Sequence, residues 1–308
     1  MNAAGRVPLV VASVVNWNTP ACTLECLEAL RRLAYPRLRT IVVDNGSRDD
    51  SVARLRARGA DVIAAPGNEG FAAGHALAWH EARRCGADAI WLLNSDAIAE
   101  PDALAELVAA WQAHGDAVYG GLPLRADGAA TRIDFPAGYL DPAASPRAWR
   151  RDRPLRLDAG WRACAPLRVG AACGASMLLP LALPARHGWL DASWFMYCEE
   201  IDYCLRLREA GVASWLVPRS RVWHARRGSQ RGRAGVAALM GYYEARNEIR
   251  LARRHAGRAT AVAIAAKKLA RAAATAAFAP ARAHWLLRGA VDGLRDRDGR
   301  PHAPDDLL

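Results

Sequence analysis

The sequence predicts an α/β fold with a mostly parallel, twisted sheet flanked by helices. Four short apolar runs, at residues 9–15, 39–43, 61–65 and 87–93, have the length and composition of buried strands. Each run leads into Asn or Asp, and segments with helical spacing separate the runs. Strands that alternate with helices in this way form a doubly wound sheet, which binds ligands at the carboxyl edge of its strands.

The length and charge of the chain limit what it can do. Its 308 residues, 52% of them hydrophobic, suffice for one large α/β domain with an appendage. The net charge of +11 and the pI of about 9.8 indicate an anionic partner, for which nucleotide phosphate, nucleic acid and an acidic membrane surface are the candidates. Since no nucleic-acid-binding module is recognisable, we do not expect nucleic acid as the partner.

The cysteines and the N-terminal residues indicate a cytoplasmic protein. Seven cysteines are scattered through apolar segments without CxxC pairs, as expected of reduced, mostly buried thiols. The first residues lack the charged and apolar regions of a signal peptide. Since no uncharged apolar run approaches the roughly 20 residues that cross a bilayer, we expect any membrane contact to be peripheral.

Local signals place the helices of the first half. Thr19 and Pro20 are expected to begin a helix on which leucines recur at helical spacing. Ser47 or Asp49 is expected to cap a second helix that Gly59 closes. A third helix follows the third strand and runs to residue 84.

The fourth strand ends in Asn94, Ser95 and Asp96, and we expect the other elements to be arranged around it. A carboxylate at the carboxyl edge of a sheet suits a hard divalent cation such as Mg²⁺ or Mn²⁺, which itself binds phosphate oxygens. The alternative is that these residues only turn the chain and cap the next helix, for which Asp102 is a second candidate.

Four segments, VVNWN, VVDNGSRDDS, NEGFAAG and WLLNSDA, together resemble the donor half of family 2 glycosyltransferases. These are inverting enzymes with the A-type nucleotide-sugar fold, and the resemblance is closest to the rhamnosyltransferase-like branch of bacterial surface polysaccharide synthesis. Each segment alone is typical of a turn, but their order is more specific. The chain departs from the family at residues 75–78, where an Asn-rich segment is usual.

The resemblance implies roles for the residues at the strand ends. Asn16 and Asp44 would hold the nucleoside part of the donor, with Asp44 reaching the base, and Asn68 would belong to the same donor pocket. Asn94 stands at the first position of the family's DXD motif, and Ser95 follows it in the donor site. The same motif makes Asp96 the carboxylate that coordinates the metal on the diphosphate.

The second informative stretch is Gly188 to Gly211, in which acidic residues open a predicted helix. The helix dipole favours carboxylates in a first turn, which is the structural alternative. Apolar neighbours, however, raise the pKa of a carboxylate towards that of a useful base. The resemblance makes Glu200 the catalytic base, although Asp is commoner there in this branch. We expect supporting roles for Glu199 and Asp202, with Asp202 paired to Arg206.

Two predicted strands flank this helix, one over Arg168 to Pro180 and one over Ala213 to Val217. A lone His beside an apolar strand is more often structural than catalytic. The resemblance nevertheless makes His224 a ligand of the metal or diphosphate, alongside Asp96.

The irregular segment 122–165 is expected to be an acceptor loop or lid, or else a poorly ordered insertion.

The composition changes near residue 234, so we divide the chain into a catalytic nucleotide-sugar-binding domain, residues 1–234, and a helical extension, residues 235–308. The segment GYYEARN resembles a helix that follows the catalytic domain in this branch, and we expect its Arg246 to face the donor or acceptor. Basic amphipathic helices follow, which suit an anionic membrane interface with Trp285 at headgroup level. The alternative is a helical hairpin packed on the core. Arg295 to Leu308 are predicted to be a disordered tail.

These observations predict a metal-dependent inverting glycosyltransferase. By resemblance, it would transfer a sugar from a dTDP-rhamnose-like or UDP-sugar donor to a hydroxyl of a glycan or polyprenyl-linked acceptor at the inner face of the membrane. One alternative is a nucleotidyltransferase, which ordinarily has a Gly-rich phosphate loop that is missing after the first strand. The other is a non-catalytic protein that binds nucleotide sugars or a membrane surface.

Overall fold

The computed structural model of the protein describes residues 6–127, 130–134, 155–156, 160–161, 164–224 and 234–304. Within these residues the strands join into one mixed, mostly parallel sheet. The strands are β1 (Val10–Asn16), β2 (Leu38–Asp44), β3 (Val62–Ala64), β4 (Ala89–Asn94), β5 (Ala97–Ala99), β6 (Val118–Asp127), β7 (Ala130–Ile133), β8 (Leu155–Arg156), β9 (Leu167–Val169), β10 (Ser176–Pro180) and β11 (Ser214–His224). The main path of the sheet runs β3-β2-β1-β4-β10-β6-β11-β5.

Helices pack on both faces of this sheet and form a C-terminal extension. They are α1 (Pro20–Arg31), α2 (Ser51–Ala57), α3 (Gly70–Arg84), α4 (Ala103–His114), α5 (Ala182–His187), α6 (Glu199–Glu209), α7 (Ala234–Ala256), α8 (Arg258–Thr275) and α9 (Pro280–Leu294). A short 3-10 turn, Ala192–Trp194, lies shortly before α6.

The four strands expected in the first half are present, and β1 to β4 run parallel to one another. Their side chains alternate between two apolar layers. Val11, Ile41 and Leu92 point to the layer that contains α3 and α6, whereas Val10 and Trp91 point to the layer that contains α1 and α4. Because helices cover both faces, these strands are apolar throughout. The predicted α/β fold is thus confirmed.

The strand expected over Arg168 to Pro180 is wrong in extent. The structure has β9 and β10 there, both antiparallel to their neighbours, with a bend at residues 170–175 between them. Ala171 and Ala172 in this bend are fully buried, so the segment keeps the apolar composition of a strand without its pairing. Since β10 lies antiparallel between β4 and β6, the centre of the sheet is mixed.

The expected disorder of Arg295 to Leu308 is wrong for the part that the structure describes, residues 295–304. Gly299 donates its N–H to the Ser193 carbonyl at 2.7 Å. Its own carbonyl accepts a hydrogen bond from Arg246 of α7 at 2.8 Å. The segment is therefore docked through hydrogen bonds of its main chain. Its polar side chains give no sign of this docking in the sequence.

All seven cysteines are free thiols, as predicted, but they are not mostly buried: Cys26, Cys198 and Cys204 are buried, and the other four are partly exposed. Burial, with a smaller contribution from the charge of Asp96, raises the pKa of the Cys26 thiol to about 12. This thiol is therefore protonated at neutral pH and is not a nucleophile. Among the helices described, none combines the length and the apolar character that crossing a bilayer requires.

Asp202 joins α6 to the extension. Its carboxylate is fully buried and accepts hydrogen bonds from Arg206 on α6, as the sequence predicted, and from Arg254 and His255 on α7, each at 2.9 Å. Burial alone would raise the pKa of this carboxyl, but the three donors outweigh burial and hold the pKa well below its usual range. One ionised carboxylate thus fixes the position of α7 against α6.

We expect Asp202→Asn to lower the free energy of unfolding by roughly 2 kcal/mol at pH 7, because the buried His255 and the partly exposed Arg206 and Arg254 lose their charged acceptor. The pKa of Asp202 is depressed in the folded state, so its stabilisation is present above the unfolded pKa and disappears as the pH falls through the folded pKa. The difference between variant and wild type should therefore shrink below about pH 4. Denaturant titrations over a pH series measure this.

The matched control for this substitution is Asp61→Asn, which removes an ion pair to Arg39 in which Asp61 is 49% exposed. An exposed pair of this kind contributes less than about 1 kcal/mol. Equal destabilisation by the two substitutions would contradict the role given to Asp202.

Candidate active site

The carboxyl ends of the parallel strands meet at one edge of the sheet. Asn16 at the end of β1 lies opposite Asp44 at the end of β2, and both are buried. Asn16 donates from Nδ2 to Asp44 Oδ2 at 2.7 Å and accepts on Oδ1 from Thr23 of α1 at 2.7 Å. Asp44 also accepts from the N–H and hydroxyl of Ser47, at 2.9 and 2.7 Å. These bonds fix the orientation of two residues that the sequence assigned to the nucleoside.

The loops after β2 and β3 lie against each other at the same edge. Asn45 donates to Asn68 Oδ1 at 3.0 Å and accepts on its own Oδ1 from the N–H of Glu69 at 3.2 Å. Gly46 has a φ of +73°, and a Cβ added to it would lie 2.4 Å from Gly67 Cα. The turn therefore needs glycine for both conformation and space. Asn45 was missed by sequence reasoning because Asn-Gly is a common turn dipeptide.

A second group of site residues lies where β4 leads into β5. The sequence did not predict β5, whose antiparallel pairing with β11 brings His224 beside it. His224 Nε2 lies 3.2 Å from Asp96 Oδ1 and 3.1 Å from the side-chain nitrogen of Asn94. The Ser95 hydroxyl lies 3.5 Å from that of Thr19. The structure thus brings together three of the residues assigned to the diphosphate and the metal.

Asp134 completes this group from residues 122–165, for which the sequence predicted an acceptor loop or lid, or else a poorly ordered insertion. Its Oδ2 lies 3.3 Å from His224 Nδ1. Burial would lower the pKa of His224, but the hydrogen bonds to Asp134 and Asp96 outweigh burial and raise this pKa to about 9. Two carboxylates therefore make this place favourable for positive charge. The sequence carries no local signal for Asp134, because only the fold brings it to His224.

The side chains at this edge include possible ligands for a divalent cation. The described residues hold no group of three His, Cys, Asp or Glu side chains arranged as a complete metal site. The reason is that Asp96 and Asp134 lie at different nitrogens of the same ring and do not converge. A carboxylate and an imidazole nitrogen are nevertheless suitable ligands for Mn²⁺ or Mg²⁺, and a carboxylate on the second ring nitrogen is the usual way to orient a metal-binding His. The donor set therefore fits.

Glu200 borders the same edge through the bend before β10. A Cβ added to Gly174 would lie 3.6 Å from Glu200 Cγ and 3.2 Å from the Phe71 ring. The next residue, Ala175, accepts a long hydrogen bond of 3.4 Å from the N–H of Asn94 at the end of β4. Glu199, one helical position away, is only 3% exposed. Of the two neighbouring carboxylates, Glu200 is thus the one beside this loop.

The segment that leads into α6 has an unusual backbone. Phe195, Tyr197 and Cys198 have φ values of +64°, +69° and +73°, a region that residues with a Cβ rarely adopt. Each such residue costs on the order of 1–2 kcal/mol. The Phe195 carbonyl accepts from the N–H of Phe71 at 2.9 Å, beside Gly70, where an added Cβ would lie 2.0 Å from that same oxygen. This segment thus directly touches the start of α3, where the loop of residues 65–69 ends, and we call this loop the donor-side loop.

Asn247 of α7 holds this segment in place. Its side-chain nitrogen lies 2.9 Å from the carbonyl oxygen of Trp194, 2.7 Å from that of Met196 and 3.0 Å from that of Tyr197. Sequence reasoning missed Asn247, although the segment GYYEARN that contains it had been recognised as a unit.

Arg246 does not face an open cleft, contrary to expectation. It is fully buried, and its guanidinium donates to the carbonyls of Trp194 and Gly299, both at 2.8 Å, and to Asn247 Oδ1. It also lies 4.9 Å from the centre of the Tyr243 ring, within the range of a cation–π contact. Arg246 therefore supports the segment before α6, and two main-chain carbonyls and the Asn247 side chain accept its hydrogen bonds.

His75, where the chain departs from the family pattern, belongs to the core. It is fully buried, with Nδ1 2.7 Å from the Ser13 hydroxyl and its ring edge-on to that of Phe71. Burial lowers its pKa to about 3, so this imidazole is neutral at physiological pH. It fills space beneath the donor-side loop.

The chain has recognisable relatives among known families and solved structures. Residues 12–158 match the model of glycosyl transferase family 2, whereas no curated protein sequence matches the chain. The mannosyltransferase PcManGT from Pyrobaculum calidifontis, in complex with GDP-Man and Mn²⁺, superposes with a TM-score of 0.60 at 17% identity, covering 95% of this chain and 89% of that one.

Two further structures are similar. TarS 1-349 of S. aureus in complex with UDP-GlcNAc has a TM-score of 0.53 at 13% identity, covering 88% of this chain and 73% of that one. GalNAc-T7 with UDP, GalNAc and Mn²⁺ has a TM-score of 0.58 at 15% identity, covering 80% of this chain. The match spans 48% of the GalNAc-T7 chain, about half its length.

At these identities the solved structures support the fold, which is a single A-type glycosyltransferase domain with C-terminal helices. The family match adds what structural similarity alone does not, because its range contains Asn16, Asp44, Asn68 and the Asn94 to Asp96 motif. Residues 12–158, just under half of the chain, are therefore similar to glycosyl transferase family 2.

Proposed function

We propose that the protein is a metal-dependent inverting glycosyltransferase that uses a nucleotide-diphosphate sugar. The observation that carries the proposal is the convergence at one edge of the sheet of the Asn16–Asp44 pair, the Asp96–His224 pair and the loop that borders Glu200. The similar folds that hold GDP-Man or UDP-GlcNAc support it, because their donors are of this chemical class.

In this proposal Asn16, Asp44 and Asn68 bind the nucleoside, and Asn94 and Ser95 contact the diphosphate. Hydrogen bonds to neighbouring residues already orient Asn16, Asp44 and Asn68, so little side-chain entropy is lost when the donor binds. The donor is a dTDP-rhamnose-like or UDP-linked sugar, as the sequence resemblance implies.

Asp96 and His224 would hold the divalent cation, which when bound neutralises the charge that develops on the leaving nucleotide diphosphate. Asp134 orients the His224 ring from its other nitrogen. Glu200 accepts the proton of an acceptor hydroxyl while that oxygen forms a bond to the anomeric carbon. The bond to the diphosphate breaks on the opposite face, so the configuration inverts. The acceptor is a glycan or a polyprenyl-linked sugar at the cytoplasmic face of the membrane.

Glu200→Gln should reduce transfer by at least about 100-fold, because the amide cannot accept the proton, while donor binding is retained. A panel of nucleotide sugars with Mn²⁺ or Mg²⁺ and lipid-linked acceptors measures this. Glu209→Gln at the other end of α6, where Glu209 is 70% exposed, is the matched control and should leave the rate unchanged. A silent Glu200→Gln in a protein that binds donor would instead favour the non-catalytic binding protein.

Chelation of divalent cations should abolish turnover, and added Mn²⁺ or Mg²⁺ should restore it in the wild type but not in Asp96→Ala. Isothermal titration of Mn²⁺ with UDP present gives a second readout, since Asp96→Ala should weaken metal binding without transfer being measured. Turnover that resists chelation and survives Asp96→Ala would exclude the metal-dependent mechanism.

Asn247→Ala should lower kcat by about tenfold or more while the donor Kd changes less than about twofold, because Asn247 positions the segment before Glu200 and touches no donor residue. Titration calorimetry and initial rates well below the melting temperature separate the two effects. If stability falls but kcat is unchanged, Asn247 is only a structural residue.

A further inference from the structure

The helices α8 and α9 form a hairpin whose inner side is fixed on α7. Ala261, Ala265 and Ala290 of the hairpin lie in one buried cluster with Ile249 of α7. Gly289 of α9 comes so close to α7 that an added Cβ would lie 2.5 Å from the Tyr242 carbonyl oxygen. Small residues thus allow tight packing on one side and leave the other side of both helices to solvent.

The solvent side of this hairpin carries positive charge only. Residues 257–291 contain six Lys or Arg and no Asp or Glu. Lys268 forms an ion pair with Glu248 at 2.7 Å. The exposed cations are Arg258, Lys267, Arg271, Arg282 and Arg288. A one-signed surface of this kind attracts an anionic partner.

The turn between the two helices presents an apolar tip. Phe278 is 90% exposed, and Leu287 on α9 is 47% exposed. Lys267 and Arg271 are exposed one turn apart on α8, and the exposed Arg282 follows Phe278 by four residues, so cations stand on both sides of the tip along the chain. An exposed aromatic ring among basic residues is the pattern by which peripheral proteins bind anionic bilayers: the ring enters the headgroup region and the cations bind lipid phosphates.

We propose that the α8–α9 hairpin is a membrane-docking surface that binds anionic phospholipid, with Phe278 inserted at the bilayer interface. The proposal deepens the proposed function, because it names the surface that would bring the active site to a lipid-linked acceptor, and it rests on that function for its purpose. Because α7 carries both the hairpin and Asn247, docking would also fix the orientation of the active site relative to the membrane.

The test is flotation of the full-length protein with vesicles of phosphatidylcholine, alone or with about 30 mol% phosphatidylglycerol. We expect binding to the anionic vesicles only, and a loss of at least about tenfold when NaCl is raised to about 0.5 M. This salt dependence needs no variant, so it tests the proposal even if a substitution impairs folding.

Two variants locate the surface. Phe278→Ser should weaken vesicle binding about tenfold, by loss of the inserted ring. The triple variant Lys267→Glu, Arg271→Glu, Arg282→Glu should weaken it at least about 100-fold, since each cation near the surface contributes about a factor of five. The control Arg32→Glu, Arg56→Glu, Arg58→Glu makes the same charge change at exposed positions at or just after the C-terminal ends of α1 and α2 and should bind almost as the wild type does.

The outcomes distinguish this inference from the proposed function. Binding to anionic vesicles by Glu200→Gln at wild-type strength, and unchanged transfer to a water-soluble acceptor by Phe278→Ser, are both expected. Absence of binding to anionic vesicles, or equal losses in the two triple variants, would overturn the docking surface and leave glycosyl transfer untouched. The docking surface would also be overturned if the protein did not bind vesicles but formed a dimer that Phe278→Ser dissociates. A second copy of the chain would then cover the tip.

Discussion

The arrangement of the site depends on the hydrogen bonds that Arg246 and Asn247 form with the segment before α6. Three residues of that segment have positive φ values, so this backbone persists only if other contacts stabilise it. Two buried side chains of α7 supply these contacts through main-chain carbonyls. The same segment bonds to Phe71 beside the donor-side loop and leads directly into Glu200. The hydrogen bonds of Arg246 and Asn247 therefore hold α6, the donor-side loop and residues 295–304 together.

The second constraint is electrostatic. The protein has a net charge of +11, but the carboxyl edge of its sheet is locally acidic. Asp44, Asp96 and Asp134 lie there. Asp96 and Asp134 lie beside the His224 ring and raise its pKa, so they favour positive charge at this edge. The exposed cations of the α8–α9 hairpin form a separate surface on the C-terminal helices. The two anionic partners that we propose, a nucleotide diphosphate with its cation and a lipid surface, would thus bind at separate places on the chain.

The first half of the fold could be predicted from the sequence, because the signals for its strands and helices lie within a few residues of each element. Buried strands between helices must be apolar on both faces, and a helix or strand end is marked by the residues within one turn of it. For the same reason Asn16, Asp44 and Asn94 could be placed at one edge before their contacts were known. The bend at residues 170–175 escaped this reasoning, since a buried bend and a buried strand have the same composition.

The sequence by itself determined the α/β class, the edge at which the polar residues gather, and the family resemblance. Tertiary structure alone decided that Asp134 meets His224, that Arg246 is buried on carbonyls, that Asn247 holds the segment before Glu200, and that residues 295–304 are docked. The physical reason is the same in each case. These contacts join side chains to partners about 50 to 90 positions away or to main-chain groups. A local sequence pattern shows neither which distant residues meet nor which side chain binds a given main-chain carbonyl.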